Sequence, residues 1–217
     1  MEVYMLPLNG TAHSIDVVLE IAERNKELVN LRTVCFIYKS NGMTQSESER
    51  KYSLLDVSKK DTVKEELLLL RDNCALSVST VVGLCSVARH KNGEAMYLPQ
   101  LDFSIPISDD AIGILRQEFG TVMSRSKSDL VLPGYIIASG RSYHYLGLNA
   151  MRHEEWLEFL GLSLLFEDGD DQNKFSPVDR RWIGHSLVRG FSTLRIFGGA
   201  KGNNELRPEP VVVDYLE

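Results

Sequence analysis

The sequence predicts an α/β (α+β) protein with a mixed, largely antiparallel sheet and flanking helices. Three observations lead there. Apolar and β-branched runs of strand length recur at Leu31–Tyr38, Ala75–Ala88, Leu130–Ala138 and Phe191–Phe197. Between them, Thr11–Arg24, Thr62–Asp72 and Glu154–Phe166 carry apolar residues at helical spacing. The turn Lys91-Asn92-Gly93-Glu94 joins two of the strand-like runs as a hairpin.

Taken in order, Val3–Leu8 reads as a short strand and Asn9-Gly10 as a turn. The helix Thr11–Arg24 follows, with Ile15, Val18, Leu19 and Ala22 at helical spacing and His13 and Asp16 serving its first turn or facing water. Leu31–Tyr38 is a strand and Ser40–Lys51 a polar loop. Thr62–Asp72 is a helix with a leucine face at Leu67–Leu70. Ala75–Ala88 is a long strand through the sheet, and Ala95–Ile105 returns beside it. Along that return Leu98, Gln100, Asp102 and Ser104 share one face, and Leu101, Phe103 and Ile105 the other. Ser108 is placed to cap a helix running to Phe119, with Asp109 and Asp110 in its first turn.

Ser124–Ser128 is a polar loop, and Leu130–Ala138 leads into Ser139-Gly140-Arg141-Ser142-Tyr143-His144 and a second short strand at Tyr145–Leu148. In Glu154–Phe166 the aromatic residues Trp156 and Phe159 lie on the core face; Glu167–Asn173 is an acidic loop without calcium-ligand spacing. Ser176-Pro177-Val178-Asp179 has the order of a helix start: serine as cap, proline at the first position, an acid three residues on. That helix ends at Arg189-Gly190. Phe191–Phe197, a Gly198–Gly202 turn and a final strand at Val211–Tyr215 close the chain. No repeat or low-complexity tract interrupts it, and 217 residues fit a single domain over 1–217.

Composition narrows the function classes. No run approaches the ~20 apolar residues of a membrane span, and the N-terminus lacks the pattern of a secretory signal. Cys35, Cys74 and Cys85 are scattered through apolar runs, as expected of free thiols in a reducing compartment; the cytoplasm is the expected location. A net charge of −6 argues against a surface coated in basic residues for nucleic acid. The charge is uneven, however. Lys174–Arg207 holds seven Lys/Arg against two Asp/Glu, which suggests an anionic ligand held at one place.

Three groups of residues stand out chemically. Asp102 is a carboxylate on an apolar strand, a placement that is costly without a partner unless the strand end reaches solvent. Ser139–His144 puts a glycine, an arginine fork and further donors on a strand–turn–strand, a suitable place for phosphate. Its alternative is a hairpin with solvated polar residues. Val178-Asp179 is followed by Arg195 and Lys201. Gly198–Gly202 lacks the strand, spacing and helix of a P-loop. Asp179 equally fits a purely structural helix start.

In this order the three groups resemble the archaeo-eukaryotic primase superfamily, which includes primase–polymerases. Its members carry an Asp-x-Asp pair on a strand, a serine-to-histidine motif often opened by Ser-Gly-Arg, and a hydrophobic residue followed by Asp. The similar stretches here are Leu101-Asp102-Phe103-Ser104, Ser139–His144 and Val178-Asp179, within a resemblance spanning roughly 75–215; residues 1–74 carry no chemical motif. The resemblance implies metal-dependent nucleotidyl transfer from NTP or dNTP on a DNA or RNA template, with partner proteins assisting. Asp102, His144 and Asp179 would be catalytic. Asp102 and Asp179 would hold Mg²⁺ or Mn²⁺, since hard cations take carboxylate oxygens. Ser139, Arg141, His144, Arg195 and Lys201 would bind the triphosphate.

The chain departs from the family pattern at one position: Ser104 stands where the second acid of the pair is expected. A neutral ligand leaves three outcomes open: one well-held metal, repair by another acid such as Asp214, or nucleotide binding without polymerisation. The last would make the chain a catalytically degenerate nucleotide- or nucleic-acid-binding subunit of a larger replication, repair or defence system. An interaction domain that keeps only the fold is the remaining alternative.

Overall fold

The computed structural model describes Leu6 and residues 11–37, 50–75, 80–108, 110–128, 130–166, 176–198 and 208–217. In chain order the elements are α1 (Ser14–Arg24), β1 (Leu28–Ile37), β2 (Lys51–Asp56), α2 (Lys60–Ala75), β3 (Thr80–His90), β4 (Ala95–Tyr97) and β5 (Gln100–Asp102). There follow α3 (Ala111–Met123), β6 (Gly134–Ala138), β7 (Tyr143–Gly147), α4 (His153–Ser163), α5 (Arg180–Arg189), β8 (Thr193–Gly198) and β9 (Val211–Leu216).

The fold is α+β, and every strand pairing among the described residues is antiparallel. The strands divide into two sheets. The first has the order β2-β1-β3-β4, and the second β5-β7-β6-β9. β3 organises the first: β1 lies along one edge, while β8 takes Val81–Cys85 and β4 takes Val87–Arg89 along the other.

The chain changes sheets at Leu98-Pro99. Leu98 N–H donates to the Ser86 carbonyl (2.7 Å) in the first sheet, and the Pro99 carbonyl accepts from Gly147 N–H (2.8 Å) in the second. The return strand expected over Ala95–Ile105 is therefore two short strands in different sheets. Proline, with no N–H to give, sits naturally at the break. Gly147 must be glycine, because a Cβ there would overlap the Pro99 ring.

The second sheet is buried on both faces. Tyr135, Ile137, Leu146 and Val212 face α1, α2 and the first sheet, while Leu101, Phe103, Ile136, Tyr143 and Tyr145 face α3, α4 and α5. This is the period of two expected of a pleated strand, and β7 consequently reads as buried at every position. The facing predicted for Leu98 to Ile105 holds, with Leu98 in one core and Leu101, Phe103 and Ile105 in the other.

Helix ends shift by up to four residues from expectation, α3 running on to Met123 and α4 ending at Ser163, and two caps change. α5 begins at Arg180, with Asp179 rather than Ser176 as its N-cap: the Asp179 carboxylate accepts from Trp182 N–H at 3.0 Å. Ser176 and Pro177 instead lie alongside Ser104, whose N–H donates to the Pro177 carbonyl (2.7 Å). Asp110 occupies the N-cap of α3, a place expected for Ser108. Elsewhere the local signals are obeyed. His13 N–H donates to the Asp16 carboxylate (2.8 Å) at the start of α1, and Gly190 ends α5 at a positive φ of 81°. Trp156 and Phe159 are fully buried.

The expected strand Val3–Leu8 (Leu6 apart), most of the Ser40–Lys51 loop, the acidic 167–173 loop and Gly199–Gly202 fall outside the described residues. Cys85 is buried and Cys35 partly so, both as free thiols; the Cys74 side chain is likewise outside the description. Among the described residues no helix is long and apolar enough to cross a membrane.

Candidate functional site

Strand pairing brings the predicted residues together. Asp102 ends β5 directly opposite His144 in β7. Opposed side chains share a face of the sheet, and here His144 Nε2 stands 3.6 Å from Asp102 Oδ1. The histidine is 7% exposed, whereas 28% of the aspartate side chain meets solvent. The carboxylate thus opens outward with the imidazole behind it. Gln100, two residues earlier on the same face, is buried but satisfied: its amide donates to the Leu84 carbonyl (3.2 Å) and accepts from the Ser192 hydroxyl (2.9 Å).

Asp179 arrives from the other side. Its N–H donates to the Asp102 carbonyl (2.8 Å), and Phe103 and Val178 form an antiparallel bridge. Two acids far apart in sequence therefore become neighbours through their backbones. The cap bond to Trp182 occupies Oδ1 of Asp179 and leaves its other oxygen for a ligand. The Ser104 hydroxyl donates to the Ser176 carbonyl (2.9 Å), so the group at the second-acid position is engaged by backbone.

The Ser139–Ser142 turn forms the opposite wall. Ser139 donates to the Ser142 carbonyl from both its N–H (2.9 Å) and its hydroxyl (3.2 Å). Gly140 sits at φ 115°, where a side chain would be strained. Arg141 is exposed at the tip, and its carbonyl accepts from Ile107 N–H (3.2 Å), which ties the turn to the strand end after Asp102.

Arg195 is placed differently from a phosphate clamp. It is 9% exposed and lies beneath the turn. Nη1 donates to the carbonyls of Gly198 (3.1 Å) and Pro208 (3.1 Å), and Nη2 donates to that of Ser139. The planar fork that suits a phosphate here holds three backbone segments in register.

Between these walls lies an open pocket of about 640 Å³. Asp102, Asp179, Ser104, Gly140, Arg141 and Ser142 line it. Ser139, His144 and Arg195 are buried next to lining residues rather than forming the lining, and Lys201 lies outside the described residues. Pro106 and Ile107 also line the pocket and are not marked out by the sequence. Nothing in their residue types marks them; only the bond from Ile107 to Arg141 brings that loop to the site.

Asp214 does not replace the missing acid. It is buried on β9 opposite Ile136, where Arg116 of α3 grips it through Nε (3.2 Å) and Nη2 (2.5 Å). That is the α3 side of the second sheet, whereas Asp102 points to the other. The donor set of the pocket is thus two carboxylates and a neutral hydroxyl. This suits one magnesium-like cation, which takes one or two carboxylates and completes its shell with water and phosphate. Among the described residues no group of three acids, histidines or cysteines could hold a metal.

A family model described as archaeo-eukaryotic primase 1D-like matches residues 58–207, a span that includes Asp102, the turn and Asp179. This chain belongs to that primase-like family. No curated protein and no solved structure gives a significant match. The match also takes in α2, so the primase-like part begins before the first chemical motif.

Proposed function

We propose that this primase-like domain, acting as one unit over 1–217, binds a nucleoside triphosphate with Mg²⁺ or Mn²⁺ in the pocket and transfers its nucleotide on a DNA or RNA template. The observation that carries the reading is the Asp179 N–H bond to the Asp102 carbonyl (2.8 Å), which sets two acids side by side across a pocket from Arg141. Asp102 and Asp179 would hold the cation. When bound, it would lower the cost of forming the attacking alkoxide and of releasing pyrophosphate.

The chain's own residues do the remaining work. Arg141 at the tip, with Lys201, would offset triphosphate charge. Ser139 and Gly140 would shape the turn for close approach, with Arg195 holding that turn from below. His144 backs Asp102 and fixes the direction in which its carboxylate opens.

The engaged Ser104 hydroxyl favours a second reading, in which the domain binds nucleotide without transferring it. Calorimetry of NTP and dNTP binding, with and without Mg²⁺ or Mn²⁺, separates the two when paired with primer extension. Metal-dependent binding lost in Asp102→Ala, together with extension, supports transfer. Metal-independent binding without extension supports the second reading. No binding of either nucleotide rejects both.

A further inference from the structure

The first sheet has a face turned away from α1 and α2 that the pocket does not use. Alternate residues Asn30 and Arg32 of β1, Tyr52 and Leu54 of β2, and Val87 and Arg89 of β3 lie on it beside a groove of about 430 Å³. At one end Arg32 sits against two rings that meet edge to face. Its guanidinium carbon is 3.9 Å from the Tyr52 centroid and 4.9 Å from that of Phe191. Arg189, the last residue of α5, lies 5.6 Å over the other part of this cluster, at Phe191. The two rings leave Arg32 half-buried, and among the described residues no acid pairs with it. Leu54 is 65% exposed beside it.

α5 joins this face to the nucleotide pocket. Asp179 caps one end of the helix in the pocket, and Arg189 closes the other end at the cluster. Ten residues separate them by ~15 Å. The helix carries Arg180, Arg181, His185 and Arg189 and no acid. Two acids adjoin the groove: Asp56 is paired with Lys59 (3.8 Å), and Glu94, which lines the groove, accepts from Asn92 (2.7 Å). On a chain of net charge −6, this is a local basic track interleaved with rings and an exposed leucine.

We propose that α5 and this sheet face form the track for a single-stranded nucleic acid. Its phosphates would lie along Arg181, which shares a flank of α5 with Arg189, then Arg189, Arg32 and Arg89, and a base would stack on the Tyr52–Leu54 side of the groove. Cationic grooves with sequence-tolerant stacking platforms are the usual physics of single-strand binding. The inference rests on the template of the proposed function only for the identity of the strand.

Fluorescence anisotropy of a labelled oligothymidylate tests it, with NTP calorimetry run in parallel on the same variants. Tyr52→Leu is expected to weaken oligonucleotide binding about 5- to 150-fold. Arg32→Gln with Arg189→Gln is expected to lower the slope of log affinity against log salt by about 1.4. NTP binding stays unchanged in all of them. Arg189→Gln alone carries the test if circular dichroism shows the Arg32 variant unfolded. Unchanged oligonucleotide affinity in folded variants overturns the proposal. So does polyphosphate binding as tight as the oligonucleotide, or a wild type that binds NTP but no strand. A wild type that binds the strand on this face but no NTP sinks the nucleotide reading and leaves this one standing.

Discussion

Replacing Arg195 by methionine separates a positioning role from a ligand-binding one. The guanidinium donates to three carbonyls, of Gly198, Pro208 and Ser139, in a side chain only 9% exposed. A hydrogen bond from a charged donor contributes about 1.5–3 kcal/mol, and an orphaned buried acceptor costs about 1–3 kcal/mol. The three bonds share one side chain and converge beside one turn, so their losses overlap. A net destabilisation of about 3–5 kcal/mol is expected, read as a fall in the urea midpoint at constant slope. Arg195→Lys keeps the charge but cannot span three carbonyls, and should fall between methionine and wild type. Nucleotide affinity should drop with the turn in both variants, in step with stability. A methionine variant as stable as wild type that no longer binds nucleotide would refute the argument, because the guanidinium would then face the ligand and not the turn.

Other substitutions probe neighbouring features. Asp179→Asn keeps a good N-cap and should change stability by only a few tenths of a kcal/mol, whereas Asp179→Ala should cost about 1 kcal/mol; both should lose metal-dependent nucleotide binding in calorimetry. Arg116→Ala removes the half-exposed partner of the buried Asp214 carboxylate and should lower stability by about 1–2 kcal/mol in urea titration, with nucleotide binding unchanged in the folded protein. Gly140→Ala forces a side chain to φ 115° and should cost about 1–3 kcal/mol in a thermal melt. Burial pushes the Cys85 thiol up from 9.0 to about 11, so the folded form keeps its proton where the unfolded chain loses it. Its contribution is whole below pH 9 and falls away as pH rises through about 11, about 2–3 kcal/mol in all. Buried tyrosines act in the same direction above pH 10, so the measurement is the difference between wild type and Cys85→Ala across that window.

What the sequence made legible were features fixed locally. The caps at His13 and Gly190, the buried aromatic face of α4 and the alternation through Asp102 each depend on a few adjacent residues. β2 went unseen because it is an exposed outer strand: Lys51, Ser53 and Leu54 face water, and Leu55 is the one buried position. The break at Pro99 was missed because alternation continues unchanged through a switch of sheets. Ser176 imitates a cap convincingly, but the ladder to Ser104 claims that segment first. The site divides in the same way. Asp102, Asp179 and Arg141 were found by motif and meet in the pocket, whereas the seat of Arg195 depends on backbone carbonyls that leave no trace in residue identity.

The family match ends at residue 207, and the fold does not. Pro208 supplies a carbonyl to Arg195, and β9 beyond it pairs with β6 from Gly134 to Ala138. A fragment trimmed to the matched span would lose both. β6 would become an open edge with unpaired N–H and carbonyl groups beside apolar side chains, a template for intermolecular strand addition. Such a fragment would aggregate and lose the turn at the same stroke. The last ten residues are therefore part of the candidate pocket's foundation, although none of them lines it.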